Sequence, residues 1–452
     1  MIHKQVINHR QIAWLVGSVL MTGMMISFLR SVVQLARMDA WFSQVIPVGY
    51  AILVAYVLAE LTRVFPGKNL FEILFIVCGK WVGGALNLVI LFYIWIILAL
   101  DIKGASDFLH ISLLPHTPLE IILLVFVLLM MYYGRTSLEV AARVNEIYFP
   151  AYFLCNLLLY FLLVNEYSLE RLEPILSNSL GRIAVSNLLP LGLYGDILLF
   201  GAFLHAVAQP RLFFAAMKHG VLIVGFSATM ILLILLGVMG YTIASRLNFP
   251  VYILVQQIHV TDFLDRVEMI VFSLWFPAFT IKVIVAYLAF LVGIGSFGGQ
   301  QHYNAFNAPC GWFMVVTSML AFPNVADIDQ FISYSLPVIV LVIQVPLLVF
   351  LFVMARIRGK RDTNVGIPEG TKLYRFYKSA VRTGYLSLLG CVLTVVISDM
   401  FVDKSPWWGG LASIGFIFCF FLALVASYLE MQALNHGKQK IAKSTGPGAF
   451  RQ

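Results

Sequence analysis

Leu188-Leu189-Pro190-Leu191-Gly192-Leu193-Tyr194-Gly195-Asp196 is the stretch whose reading decides the fold. It sits inside an apolar run, 183–206, long enough to cross about 30 Å of hydrocarbon. A proline and two glycines in six residues disfavour a continuous helix there, and the break ends on a carboxylate. Unwound backbone at membrane depth is tolerated only where it lines a cavity or is buried in protein. Met21-Thr22-Gly23 interrupts the first apolar run in the same way. Each break alone could be a proline kink or a close helix contact at glycine. Paired at matching places in two halves of a chain, they point to a binding site.

Outward from these breaks, apolar runs recur at 12–33, 41–61, 83–105, 119–133, 147–164, 183–206, 219–242, 269–293, 309–322, 333–355, 383–402 and 408–430. Of the 452 residues 61% are hydrophobic and 12% charged, against about half and about a quarter in soluble domains. The loops leave no stretch to bury a soluble catalytic core. Five cysteines, Cys78, Cys155, Cys310, Cys391 and Cys419, lie far apart without a CxxC pair, which argues against a disulfide framework or a zinc site. No enzyme motif, metal cluster or cofactor signature is present, and a non-enzyme is expected. The first run follows a basic N-terminus and has no small-residue cleavage site before Arg30, so a retained span is expected.

The first ten spans divide into two fives whose loops echo each other. Phe65-Pro66 with Leu70–Val77 follows span two, and Phe249-Pro250 with Val251–Ile258 follows span seven. An odd number of spans per half inverts the second copy, the layout of inverted-repeat transporters. The fold expected is an all-α integral membrane protein of about 12 transmembrane helices. It combines a 5+5 inverted repeat, discontinuous in helices 1 and 6, with two extra C-terminal helices. The core is residues 1–360 (repeats 12–164 and 183–355), followed by a basic linker at 361–382, the extra helices at 383–430 and a tail at 431–452. Twenty-one of the 30 Lys and Arg fall on one side when the N-terminus is put inside, Lys4, Lys80, Lys218, Arg356 and Arg358 among them. Both termini are therefore expected in the cytoplasm. The basic loop near 356–382 is read as a stop signal beside anionic membrane lipid, not a nucleic-acid site.

Ionisable groups within spans are costly and usually functional. Asp196 could bind a substrate amine, carry a proton or cap the restarting half-helix. Lys282 is too deep to snorkel. It is expected either to act as a fixed cation in place of a coupling ion, or to form a structural pair with Asp196 or Asp101, or to lie neutral. Asp101, Lys103, Glu60, Arg30 and Glu268 read as interfacial residues. Trp14, Trp41, Trp81, Trp275, Trp407 and Trp408 read as parts of an aromatic belt. The ligand pocket is expected at Met21, Thr22, Gly23, Gly192, Tyr194, Gly195 and Asp196, where half-helix N-termini would face a carboxylate.

Residues 5–360 resemble the spore-germination permeases, the B subunits of germinant receptors, within the amino acid–polyamine–organocation superfamily. The carriers are Asp39-Ala40-Trp41, Pro66 with Asn69-Leu70-Phe71-Glu72, and Gly79-Lys80-Trp81-Val82-Gly83. Thr117-Pro118, Ala142-Arg143, Leu172-Glu173-Pro174-Ile175-Leu176 with Leu180-Gly181, Arg266-Val267-Glu268 before Trp275, and Phe322-Pro323-Asn324 follow in order. The resemblance implies a protein of the spore inner membrane that senses a small nutrient germinant, often an amino acid, beside an A subunit and a C lipoprotein subunit. The family's unwound first helix falls on Met21, Thr22 and Gly23, and its acidic sixth-helix position on Asp196. Three departures stand out. Met21 and Phe28 take the places of a glycine and a proline in span one, Lys282 replaces what looks like a small hydroxyl residue, and spans 383–402 and 408–430 are additional. An active amino-acid transporter of the same superfamily is the alternative reading.

Overall fold

The computed structural model describes residues 7–25, 29–176, 179–207, 209–258, 266–298, 303–358, 370–402, 405 and 407–444. Lys4, Phe28, Asp265, Lys360 and Arg361 lie outside the described residues, as do 361–369 of the basic linker and 445–452 of the tail. Among the described residues the chain is all-helical.

The first span is α1 (His9–Met21), a 3₁₀ turn (Thr22–Met25) and α2 (Leu29–Ala36). Then come α3 (Val45–Val64), α4 (Leu70–Ser112), α5 (Leu119–Tyr133) and α6 (Leu138–Leu162). The second half opens with α7 (Leu180–Ser186), turns through 187–190, α8 (Leu191–Tyr194) and a 3₁₀ helix (Gly195–Ala206). It continues with α9 (Pro210–Ala244), α10 (Pro250–Gln256), α11 (Val267–Phe297) and α12 (Asn307–Ala321). The tenth span is α13 (Val325–Gln330), a π-helical segment (Phe331–Ser335), α14 (Leu336–Ile339), a second π-helical segment (Val340–Gln344) and α15 (Val345–Arg358). Both halves thus run through a broken helix, a long helix, a short piece leading into a long helix, a short helix and a closing helix.

Local chemistry sets these boundaries. Asn69 caps α4 by accepting the Glu72 amide proton at 2.8 Å. Ten residues on, Gly79 takes φ 75° and bends the chain from a short apolar segment into the span proper. Among the described residues eight helices are by themselves long and apolar enough to cross a membrane, or up to ten if the bent pairs α1–α2 and α5–α6 each count once. The twelve expected spans fall short at α5 and α12, 15 residues each. At about 1.5 Å per residue each runs only about 22 Å.

Of the added helices, α16 (Lys372–Val402) starts before its expected bound and α17 (Trp407–Ser444) ends after its own, because helix continues through the polar flanks. α17 docks on α9, where Lys218 pairs with Glu430, both buried. Lys218 is therefore a core residue and not a loop cation. Trp41, expected in the aromatic belt, is also buried, with Phe416 of α17 edge-on at 5.7 Å. This interface sets what truncation after Arg382 should do. Losing α17 strands a buried ammonium, at a cost of about 3 kcal/mol or more. The truncated chain should therefore melt well below the full one, and Lys218→Met in the truncated background should recover much of the loss. Equal melting of all three forms in detergent would make the pair energetically silent.

Candidate ligand site at the helix breaks

α1 ends at Met21, and the breaks of spans one and six meet α4, α11 and span ten around a cavity of about 30 Å³. Its walls are Gly23 of the first break, Leu193 and Asp196 of the second, and Ile97, Leu100 and Asp101 of α4. Lys282 of α11 and Ile332 and Leu336 of span ten close it. That volume suits a water or two. A larger guest needs Leu193, Ile332 and Leu336 to move.

Lys282 organises the polar side. Its Nζ lies 2.8 Å from Asp101 Oδ1 and 3.1 Å from Asp196 Oδ2, with all three side chains withdrawn from solvent (3%, 13% and 3% exposed). The Tyr93 hydroxyl donates to Asp196 Oδ1 at 3.4 Å. Asp101 Oδ2 is buried without a hydrogen-bond partner. One ammonium shared by two carboxylates leaves the cluster one negative charge in excess when all three are ionised, with an acceptor still to satisfy. Asp101 is thus not the interfacial residue expected. It stands well inside the 43-residue α4, whose helix continues 11 residues beyond it to Ser112. Lys103, also expected at the interface, is buried and paired with Asp107 at 2.6 Å.

The other expected pocket residues form a layer behind the cavity. Met21 is fully buried. Thr22 gives its hydroxyl to Ser18 O at 2.6 Å, and its own carbonyl accepts the Trp275 indole N–H at 2.9 Å. Gly192 backs onto Leu336, and the Tyr194 hydroxyl donates to Gln44 Oε1 at 3.1 Å. Gly195 lies under Val340 and Tyr93, and its carbonyl accepts Gln344 Nε2 at 3.3 Å. Nor does span six offer a bare helix N-terminus. The Leu191 amide donates to Leu188 O, and the Leu193 and Tyr194 amides donate to Pro190 O, so turns already use these N–H groups. In span one, residues 26–28, which precede α2, lie outside the described residues.

Trp275, expected at an interface, is instead the donor that satisfies the carbonyl freed at the first break. Only its position seven residues before Lys282, two turns along one helix face, could have hinted at this. Trp275→Phe removes the donor while keeping most of the ring. It should cost about 1–3 kcal/mol of stability and weaken any response that depends on the break; unchanged melting would mean that water replaces the indole.

Both halves of the first span are also tied to neighbouring elements, α1 near its start and α2 close to the break. Arg10 pairs with Glu146 of α6 at 3.0 Å, joined there by Gln11. Arg30 donates to Asn248 at 2.9 Å and lies 3.8 Å from Asp329 of α13. Arg30 is accordingly a tertiary contact and not a simple anchor.

The chain is similar to several known proteins. YfkT of Bacillus subtilis is 23% identical over 329 residues, 72% of this chain and 89% of that protein. Spore germination protein KB of the same organism is 21% identical over 338 residues, with the same shares, and spore germination protein A2 is 23% identical over 255 residues, 56% and 69% of the two chains. Among solved structures, a manganese transporter mutant from Eremococcus coleocola superposes with a TM-score of 0.49 at 12% identity, covering 94% of this chain and 95% of that one. The family model described as "Spore germination protein" matches residues 6–326, and the chain belongs to that family.

Proposed function

We propose that the chain is the ligand-sensing membrane subunit of a germinant receptor in the spore inner membrane, with both termini in the cytoplasm. It binds a small nutrient germinant, an amino acid, between the two helix breaks. A receptor A subunit and a C lipoprotein read the resulting shift between closed and open forms. The observation that carries this reading is the Lys282 ammonium shared between Asp101 and Asp196 on the wall of a cavity lined by both breaks. The unpartnered Asp101 Oδ2 gives an incoming ammonium group an acceptor, and Lys282 gives a carboxylate a cation. The same cation stands where a coupling ion would otherwise be needed, so response should not depend on sodium.

Spores carrying this chain as their only receptor of its class test the reading. Amino acids screened singly should trigger germination with a saturable dose dependence, unchanged when choline replaces sodium. A clear sodium requirement would remove Lys282 from the role of fixed cation. Uptake of a labelled amino acid by vesicles containing the chain alone would favour the alternative, an active transporter.

A further inference from the structure

A second cavity lies away from the breaks, among exposed apolar side chains such as Val82, Val89 and Val342. It is a groove of about 620 Å³ between α4 and span ten, some twenty times the volume of the central cavity. Val77, Val82 and Leu86 lie on one wall and Val342, Leu347 and Phe350 on the other, and Cys78 is the one lining residue whose side chain carries a polar hydrogen. Such a surface suits hydrocarbon.

One mouth of the groove differs from the rest. Lys80, exposed, stands between the lining residues Cys78 and Val82, just past the bend at Gly79. Across from it, Arg358 ends the tenth span four residues beyond Met354, another lining residue, and its guanidinium is the charged neighbour of the Cys78 thiol. Among the described residues no carboxylate pairs with Lys80 or Arg358. Glu72 pairs with Lys68 at 3.2 Å, and Glu60 with Arg63 at 2.5 Å. Arg356, the third cation at this end, lies over the Phe352 ring. Trp81, 92% exposed, stands beside Lys80 as an interfacial ring does. Two exposed cations, without a carboxylate partner among the described residues, thus stand close in sequence to lining positions at one end of a hydrocarbon-shaped slot.

We propose that this groove binds one anionic phospholipid, its acyl chain along the α4–span ten slot and its phosphate held by Lys80 and Arg358. Charge complementarity selects this occupant: a zwitterionic lipid fits the slot equally well but gains less from two cations. The groove also shares a structural part with the central site. Val342 and Ile343, which line it, belong to the π-helical segment whose Val340 and Gln344 hold Gly195.

The test uses the full chain, purified in detergent and titrated with dioleoyl phosphatidylglycerol or dioleoyl phosphatidylcholine, with bound lipid counted by native mass spectrometry. Phosphatidylglycerol should bind one molecule per chain ahead of the other lipid. The double variant Lys80→Gln, Arg358→Gln should lose roughly thirty-fold in affinity for it, two surface charges' worth, with little change for phosphatidylcholine. Leu86→Trp, which fills the slot, should lose both lipids. Equal binding of the two lipids, insensitive to the charge variants, would overturn the proposal. So would a chain whose self-association, and not its lipid content, responds to Leu86→Trp, since a second copy would then be the occupant. Lys80 and Arg358 are exposed, so the double variant remains informative even if Leu86→Trp fails to fold.

Discussion

Replacing Gly23 by leucine is expected to abolish the ligand response while leaving the protein at its normal level in the membrane. A Cβ at position 23 would lie 2.6 Å from Leu193 Cδ1 and 3.2 Å from Lys282 Nζ, both walls of the central cavity. Leucine adds three further carbons to a space of about 30 Å³, so the cavity fills and Lys282 is pushed off its carboxylates. Overpacking of this kind costs about 1–3 kcal/mol, which a core of this size absorbs. Gly23→Ala should give a smaller shift in the same direction, because Leu193 can turn aside. Germination dose–response curves, read beside immunoblots of membrane fractions, measure this. An unaltered curve for Gly23→Leu would take the first span out of the site.

The second large effect is expected from Lys282→Met. Removing the ammonium leaves Asp101 and Asp196 facing each other in a buried setting, and breaking a buried pair from one side costs about 3–5 kcal/mol. Folded protein should fall sharply, as should its melting temperature in detergent. Adding Asp101→Asn and Asp196→Asn should restore folding, since no unpaired charge then remains. It should not restore the response if the cluster recognises ligand. Recovery of both in the triple variant would make the three residues a structural tie alone.

Much of the fold was legible from residue patterns, and the reasons are physical. The breaks at Met21–Gly23 and Pro190–Gly195 announce themselves because proline and glycine disfavour helix whatever surrounds them. The short helices at 119–133 and 307–321 showed in the length of the apolar runs. Partnership was far less visible. Lys282 stood out as a cation too deep to reach water, but which carboxylate it met depended on how α4 and α11 pack, and the answer was both. Asp101 read as an end-of-span residue because α4 continues to Ser112, past the run that hydropathy marks. Lys218 read as a loop residue for a similar reason, its partner Glu430 being 212 positions away. Trp41 and Trp275 illustrate a further limit, since an indole suits an interface and a core equally.

The stretch Gly195–Ala206 carries one more consequence. Twelve residues wound as a 3₁₀ helix is unusually long for that form. At about 2.0 Å per residue they reach about 24 Å, where α-helical winding would span about 18 Å. Rewinding would therefore draw the far end of this rod some 6 Å toward Asp196, like a piston on its stroke. A spin-label distance between sites flanking the rod, measured with and without ligand, would register that travel, and an unchanged distance would show that the rod stays locked.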